Sequence, residues 1–397
     1  MSDKKRGWQT LNWGELATLE YGKGLRGYKN AIGPYPVYGT NGQIGWYTEA
    51  LWSEPGVIIG RKGAYRGVHF SKKPFYAIDT AFYLNPKDIF DIKWAYYQLL
   101  NFDVNNIDSG TAIPSTSRED FYAIPVDVPP LPTQRKIAAI LSAYDDLIEN
   151  NTRRITLLEQ TAQLLYREWF VHFRFPGHES VPLVESELGP IPEGWEVVKF
   201  SDIVTLLRRG VKPLKFENET FAHYSFPAFD TNRMPLLERG ETIRSSKYLV
   251  DEDNVLLSKL NPRIPRVWLP FPDNNYRAIA STEFLVLLSQ KPLTRSYLFS
   301  LCRSPEFLAS FASLTLGTST SHQRVKPQDF LGINTILPTQ ALINAFSDLI
   351  RPTLRIVHNL RLKHANLRAT RDLLLPRLIS GQLDVSDLHI DTGELDQ

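Results

Sequence analysis

The sequence predicts a mixed α/β protein in which two globular α/β modules are separated by two long antiparallel helices. These helices are expected to form an intramolecular coiled coil with pseudo-twofold symmetry. Three observations support this: the chain contains two diverged copies of one unit, each copy alternates short apolar runs with turns, and each ends in a heptad-patterned segment. The predicted order is module 1 (1–131), a central long helix (132–174), a linker (175–194), module 2 (195–337), a C-terminal long helix (338–381) and an acidic tail (382–397).

The composition suits a chain with more than one hydrophobic core. Of the 397 residues, 43% are hydrophobic and 22% are charged, which fits two or three domains. The single cysteine, Cys302, argues against a disulfide framework or a cysteine-rich zinc site. No apolar run approaches the roughly 18 residues of a membrane helix, and no signal peptide is recognisable. We therefore expect a cytoplasmic protein with no membrane association.

The tandem duplication is clearest where each module ends. Residues 131–134 and 337–340 both read Leu-Pro-Thr-Gln. In the middle of the modules, the apolar triplet at 57–59 corresponds to the triplet at 255–257, and each precedes a basic residue. Both triplets lie between turn signals and are predicted as strands. The proline and threonine of the shared motif are plausible helix-start residues, so a helix is expected after each module.

The first long helix has the clearest periodicity in the chain. Its apolar positions step by four and three residues, which predicts a coiled-coil seam in a helix about 60 Å long. The seam residues are Ile137, Leu141, Tyr144, Ile148, Asn151, Ile155, Leu158, Ala162, Leu165 and Trp169. Asn151 is the polar member, and an amide at such a position fixes the register at some cost in stability.

The second long helix has a looser seam that is expected to pair with the first. Its predicted members are Leu342, Phe346, Leu349, Ile356, Leu360, Leu367 and Leu374. Pro352 lies inside this segment, and a proline there removes a helical hydrogen bond. The sequence therefore predicts a kink or a break in the first turns.

No catalytic or metal-binding constellation is recognisable. Residues 22–27 fit Gly-x-Gly-x-x-Gly, but the glycines and prolines of 28–45 exclude the helix that a dinucleotide site needs. Asp273 and Glu283 faintly resemble a metal-dependent nuclease pattern, but Leu285 stands where its lysine is expected. Histidines are scattered without ligand spacing, and no Walker A motif is present. We predict no catalytic residue, no metal and no cofactor on this chain.

Charge is distributed unevenly, although the net charge is only +2. Basic residues occur among aromatic and small polar ones in segments that hold no acid, or one at most. Any one such segment is most simply a solvated loop, but their presence in both copies favours a duplex DNA surface. These segments are 21–48, 55–78, 203–216, 254–277 and 311–328.

Individual roles follow from side-chain chemistry. Lysine and arginine neutralise phosphates, whereas Arg, Asn, Gln, Ser and Thr also read base edges. The candidates for phosphate contact are Lys23, Arg26, Arg61, Lys62, Arg208, Arg209, Lys259 and Arg324. The candidates for base contact are Asn41, Tyr65, Arg66, Ser117, Arg118, Arg263, Thr320, His322 and Gln323.

Four further motifs lie along the chain: PPLPTQRKIAAIL (129–141), DDLIENN (145–151), GPIPEGW (189–195) and LLPRLISG (374–381). Together with two variable modules that each lead into Leu-Pro-Thr-Gln and a long helix, they resemble the specificity subunit of type I restriction-modification enzymes. The resemblance spans nearly the whole chain. The second helix departs from the family pattern at its start, where Ala-Leu-Ile and Pro352 replace the usual Gln-rich, Ile-Ala start.

The resemblance implies a non-catalytic, bacterial or archaeal DNA-recognition subunit. Each module would be a target recognition domain for one half of a bipartite sequence. The helices would act as a spacer and dock two modification subunits that use S-adenosylmethionine. Two restriction subunits, using ATP and magnesium, would complete the complex.

Two other functions remain open from the residues alone. A stand-alone DNA methyltransferase or nuclease with a fused reader would methylate or cleave DNA without partners. A coiled-coil scaffold that binds no DNA would be insensitive to charge reversal in the basic loops.

Overall fold

The computed structural model describes residues 7–107, 114–315 and 323–392. The chain divides into two compact units: unit 1 comprises 1–149 and 366–397, and unit 2 comprises 150–365. Both units are mixed α/β, as the sequence predicts. Each also contains one end of each long helix, so neither unit coincides with a single predicted module.

The elements before the linker belong to module 1 and the first long helix. They are β1 (Gln9–Asn12), α1 (Trp13–Leu16), β2 (Ala17–Tyr21), β3 (Tyr35–Gly39), β4 (Gly42–Tyr47), β5 (Gly56–Gly60), β6 (Val68–Ser71), β7 (Tyr76–Ala77), β8 (Ala81–Pro86), α2 (Ile92–Leu100), α3 (Arg118–Tyr122), β9 (Pro125–Val128) and α4 (Leu131–Phe170).

The remaining elements belong to the linker, module 2 and the second long helix. They are β10 (Leu183–Val184), β11 (Ile191–Pro192), β12 (Glu196–Lys199), α5 (Phe200–Ile203), β13 (Val204–Leu207), β14 (Gly210–Val211), β15 (Thr220–Tyr224), α6 (Phe226–Thr231), β16 (Leu236–Arg239), β17 (Lys247–Leu249), β18 (Asn254–Ser258), β19 (Val267–Trp268), β20 (Arg277–Ser281), β21 (Phe284–Ser289), α7 (Arg295–Cys302), α8 (Pro305–Ser313), α9 (Pro327–Leu331), β22 (Asn334–Leu337) and α10 (Gln340–Ile379).

The two modules share one antiparallel sheet with the same strand order. In unit 1 this order is β2-β8-β5-β6, and in unit 2 it is β13-β21-β18-β19. The strands β5 and β18 carry the apolar triplets predicted to correspond, and every residue of both strands is buried. Ile59 pairs with Phe82, and Leu257 pairs with Leu285. The duplication therefore extends to strand register.

A second sheet is also shared, but it is larger in module 2. The order β4-β3-β7 in unit 1 matches β16-β15-β20 in unit 2, including the parallel pairs β3–β7 and β15–β20. Module 2 extends this sheet with β17 and β14. Divergence between the copies thus includes added strands as well as changed side chains.

Within unit 1, the two long helices run antiparallel. Asp145 on α4 accepts hydrogen bonds from Arg371 on α10 (2.7 Å) and from the Tyr97 hydroxyl (2.6 Å). Ile137 and Leu378 are both fully buried in the same core. The earlier residue of α4, Ile137, therefore lies with the later residue of α10, Leu378, whereas Asp145 pairs with the earlier Arg371, which makes the two helices antiparallel. Tyr97 of module 1 packs against this helix pair.

Within unit 2, the other ends of the same helices also run antiparallel. Thr152 lies 3.2 Å from His364, while Tyr166 contacts the ring of Phe346. All ten predicted seam positions of α4, including Asn151, are buried or half-buried. The predicted antiparallel pairing is therefore present in each unit.

The predicted seam of α10 is partly wrong. Leu349 is 56% exposed and Ile356 is 45% exposed, whereas the next residues, Ile350 and Val357, are buried. The looser predicted seam places Leu349 and Ile356, seven residues apart, on the buried face, whereas the buried face of α10 is shifted by one residue here. Leu360 is buried and Leu367 is half-buried, in agreement with the prediction.

The sequence predicts a kink or a break at Pro352. The helix α10 is continuous from Gln340 to Ile379, so the break does not occur. After α10, in the predicted acidic tail, Val385 is buried in the core of unit 1. Lys136 donates a hydrogen bond to the Ser386 carbonyl (2.5 Å).

Candidate nucleic-acid interface

The basic loop after β5 is fixed on both sides by backbone hydrogen bonds. The Arg61 N–H donates to the Thr80 carbonyl (2.9 Å), and the Thr116 N–H donates to the Arg61 carbonyl (2.9 Å). The next residue, Lys62, is exposed, and its backbone forms an isolated β-bridge with Ser115. The loop therefore presents two cations from a backbone with little freedom.

Module 2 builds the same loop with different side chains. The Lys259 N–H donates to the Glu283 carbonyl, and the Val325 N–H donates to the Lys259 carbonyl, both at 3.0 Å. The Lys259 ammonium donates to the Thr282 carbonyl (2.8 Å), as the Arg61 guanidinium donates to that of Asp79 (2.8 Å). Lys259 is thus the structural equivalent of Arg61.

The predicted contact residue Asn41 lies beside the first of these loops. It is exposed in the two-residue turn between β3 and β4. The preceding Thr40 hydroxyl lies 2.7 Å from both the Lys62 carbonyl and the Thr80 carbonyl. The structure therefore brings Asn41, Arg61 and Lys62 together.

Tyr21 is a residue of this surface that sequence reasoning missed. Its half-exposed ring lies between two guanidinium groups, 4.7 Å from that of Arg61 and 5.1 Å from that of Arg118. Arg118 also donates to the Tyr122 hydroxyl (3.0 Å). The cation–π contacts orient two predicted DNA-binding arginines. The acid-free segment that begins at Tyr21 was the available signal.

The equivalent place in module 2 is an open cleft. Strand register puts Arg208 where module 1 has Tyr21, because β2 pairs with β8 as β13 pairs with β21. A cleft of about 310 Å³ lies here, lined by Arg208, Lys259, Tyr248 and Gln328 among others. Two predicted phosphate contacts therefore share one concave surface.

Several arginines of module 2 are paired with carboxylates. Arg324 binds Glu283 through two nitrogens, and Arg209 binds Asp251. Hydrogen bonding to Glu283, followed by its charge, raises the pKa of Arg324. Arg263 differs, because it is exposed and has no carboxylate partner within the residues that the structure describes. Among the predicted DNA-binding cations of module 2, Arg263 therefore has a charge that no carboxylate in the described ranges neutralises, unlike Arg209 and Arg324.

Arg66 does not face solvent. Only 4% of it is exposed, its N–H donates to the Asn105 side chain (2.8 Å), and its guanidinium donates to the Asn105 carbonyl (3.0 Å). The prediction that Arg66 reads a base is not supported by this placement. An acid-free sequence segment does not distinguish a cation on a loop surface from one that holds the loop together.

The remaining candidates occupy varied positions. Lys23, Arg26 and Tyr65 are exposed, whereas Ser117 is half-buried and caps α3 by accepting from the Asp120 N–H (3.2 Å). The carbonyl of half-buried Gln323 accepts from the Asn261 N–H (2.8 Å). The candidates Thr320 and His322 lie outside the described residues.

The residues that the structure describes contain neither a cluster of metal ligands nor a membrane-spanning helix. No three side chains among histidine, cysteine, aspartate and glutamate approach one another as metal ligands would. Across the same ranges, no helix is both long and apolar enough to cross a membrane.

Comparison with known proteins agrees with the arrangement of two modules and two helices. Residues 5–160 match the family model of the type I restriction modification DNA specificity domain. The MjaIX specificity subunit of Methanocaldococcus jannaschii is 25% identical over 326 residues, covering 76% of this chain and 72% of that protein. The MjaVIII specificity subunit of the same organism is 24% identical over 363 residues, with coverages of 86% and 82%.

A solved structure shows the same fold over nearly the full length. The type I restriction-modification S subunit from M. genitalium superposes with a TM-score of 0.65 at 14% identity, covering 95% of this chain and 98% of that one. The resemblance that the sequence motifs indicated is therefore confirmed. Residues 5–160 thus match the type I restriction modification DNA specificity domain, and the chain is similar over most of its length to type I specificity subunits.

Proposed function

We propose that this chain is the non-catalytic DNA-recognition subunit of a type I restriction-modification complex, and that each module reads one half of a bipartite target. The observation that carries the proposal is the repeated basic loop. Arg61 in module 1 and Lys259 in module 2 hold equivalent backbone positions. Each loop adjoins different side chains, which suits two readers of different sequences.

The proposed partners are double-stranded DNA, two modification subunits and two restriction subunits. The modification subunits would use S-adenosylmethionine, and the restriction subunits would use ATP and magnesium. We place the assembly in the cytoplasm. No step of methylation or cleavage is assigned to residues of this chain.

We propose two roles for the long helices. As continuous 40-residue elements, they set the distance between the half-sites that are read. They also dock the modification subunits, and exposed apolar side chains on both helices support this. Leu349 and Ile356 belong to this set rather than to the buried seam, together with Leu147, Leu157, Leu164, Leu362 and Leu373.

Charge reversal in the complete complex tests DNA binding. The variants Lys62→Glu and Arg263→Glu change exposed cations of the two modules. Each is expected to weaken binding across all duplex sequences. Each should also reduce the slope of log affinity against log salt concentration by about one or more, because phosphate contacts release counterions.

Matched controls are Lys93→Glu and Lys291→Glu, which alter exposed lysines outside the predicted loops. Unchanged affinity and salt dependence in both loop variants would favour the protein-binding scaffold. Robust methylation by the isolated chain would instead indicate a stand-alone enzyme.

A further inference from the structure

Arg324 and Glu283 form a partly exposed ion pair on the proposed DNA surface of module 2. Arg324 forms a β-bridge with Leu260, in the loop that follows β18. The Glu283 carbonyl accepts from the Lys259 N–H in the same loop (3.0 Å). The backbones of both partners are therefore fixed to one short segment, and their side chains meet from defined positions.

The carboxylate holds one edge of the guanidinium. Arg324 Nε donates to one carboxylate oxygen (3.0 Å), and Nη2 donates to the other (3.3 Å). A guanidinium has five N–H donors, so this arrangement leaves the hydrogens on Nη1 and one on Nη2 for a ligand. The Arg324 side chain is 48% exposed, which makes that free edge accessible.

The pair is specific to module 2. The bridge between Leu260 and Arg324 corresponds to the bridge between Lys62 and Ser115 in module 1. The loop hydrogen bond that Glu283 accepts corresponds to the one that Thr80 accepts. Both members of the ion pair are therefore replaced by small hydroxyl residues in the other reader, at positions that the duplication makes equivalent.

Base reading suits this geometry better than phosphate neutralisation. A phosphate contact gains mainly from the positive charge that releases counterions, and Glu283 offsets that charge. A base edge is neutral and requires donors with a fixed orientation. Guanine presents two major-groove acceptors, O6 and N7, that match two N–H groups of an arginine fork. A guanidinium oriented in advance also loses less side-chain entropy on binding.

Arg266 illustrates the difference between a reading pair and a supporting pair. It binds Asp230 through two nitrogens at 2.8 and 2.7 Å, but its side chain is only 13% exposed and lies over the Phe226 ring. Its donors are therefore enclosed by the module. Arg324 has the same two-point support with its outer edge in solvent.

We propose that Arg324 reads a guanine in the half-site of module 2, with Glu283 as the positioning residue that orients it. This rests on the proposed function, and it proposes a base contact for Arg324 in place of the phosphate contact predicted from the sequence. It predicts that one defined position of the half-site read by module 2 must be a G·C pair. Module 1 has Ser115 in place of Arg324, so its half-site should have no corresponding requirement for guanine.

The test uses the complex of this chain with its modification subunits. The wild-type target is first mapped by sequencing methylated adenines in a host that expresses the system. Methylation rates are then measured on synthetic duplexes that carry each base pair at each position of the mapped site. Arg324→Lys, Arg324→Ala and Glu283→Gln are compared with the wild type and with Arg239→Lys, which changes an exposed arginine paired with Glu241 in the same module.

The expected result is a loss of selectivity at a single G·C position. Arg324→Ala and Arg324→Lys should lower discrimination there by about 5- to 150-fold, because neither side chain has the planar fork that Glu283 can orient. Glu283→Gln should lower it by a smaller factor while the arginine remains. The salt dependence should stay near the wild-type value in Arg324→Lys, and Arg239→Lys should leave all positions unchanged.

Two results would overturn the proposal. Uniform loss over all sequences, with a salt slope reduced by about one ion in Arg324→Ala, would make Arg324 a phosphate contact. Unchanged selectivity at every position would remove it from the interface. Both leave the proposed function intact, which fails separately if the wild-type complex shows no mapped target at all.

Discussion

At the scale of single residues, the neighbours of each cation decide what it can contribute to DNA binding. The guanidiniums of Arg61 and Arg118 lie 4.7 and 5.1 Å from the centre of the Tyr21 ring, which gives them a defined orientation without a counter-charge from the ring. The charge of Arg324 is partly neutralised by the Glu283 carboxylate, and Arg66 is buried in the loop that it supports. Arginines that carry the same charge in the sequence therefore differ in how accessible their guanidinium groups are to DNA.

The variant Tyr21→Leu tests the orienting role of this ring. Removing two cation–π contacts, worth roughly 0.5–1 kcal/mol each at exposed sites, should weaken DNA binding by the complex by about 5- to 30-fold. Tyr21→Phe keeps the ring and should bind like the wild type. Binding titrations at fixed salt make the comparison; equal loss in both variants, or loss in neither, would contradict the orienting role.

The basic loops were predictable from the sequence because their acid-free composition is a local property. The partners of individual cations were not, since Glu283 and Arg324 are 41 residues apart. Tyr21 was missed for the same reason. Its importance depends on Arg61 and Arg118, which join it only when the strands and the α3 region come together.

At the scale of elements, a partly buried charge cluster links module 2 to both long helices within unit 2. Glu159 on α4 binds Arg361 on α10, Arg233 after α6 at 3.0 Å, and Arg303 after α7 at 3.4 Å. The Glu159 side chain is 15% exposed. Burial opposes its ionisation, but the three arginines outweigh this effect and hold the pKa of Glu159 below its usual value.

Replacing Glu159 should therefore change both stability and its pH dependence. A carboxyl group whose pKa is lowered by folding stabilises the protein above the unfolded pKa, near 4.5, and this contribution is lost as pH falls through the folded pKa. Glu159→Gln should lower stability at pH 7 by about 3 kcal/mol, because it leaves three guanidiniums without a counter-charge. Its acid-induced loss of stability should be correspondingly smaller.

Thermal unfolding of the full chain between pH 3 and pH 7 provides the measurement. Glu168→Gln is the control on the same helix, because Glu168 forms an exposed ion pair with Arg174. That control should behave almost like the wild type, since exposed pairs contribute little. If Glu159→Gln were as stable as the control at pH 7, the cluster would have no stabilising role.

The helices also show where periodicity is informative and where it is not. The seam of α4 was predicted correctly because its members keep alternating steps of four and three residues along the whole helix, although Leu157 and Leu164 also stand beside seam positions. In α10, leucine or isoleucine stands beside the buried position, as in the pairs Leu349–Ile350 and Ile356–Val357. Two neighbouring apolar residues leave the buried face ambiguous in the sequence, and only packing within unit 2 selects one.

At the scale of the whole molecule, duplication explains how two modules share one architecture and carry different side chains in equivalent loops. The sheets β2-β8-β5-β6 and β13-β21-β18-β19 preserve strand order and register. The sequence revealed this through four identical residues at the end of each module and matched apolar triplets. It did not reveal the strands β14 and β17, because these short segments lack the apolar run that marks β5 and β18.

The central claim is that two different modules of one chain read two separate blocks of DNA. Sequencing the methylated positions of a host that expresses this chain with its modification subunits tests it most directly, for the wild type and for Arg324→Lys. The expected result is two specified blocks separated by unspecified bases, with the variant altered in one block only. One contiguous specified block, or a change in both blocks, would contradict it.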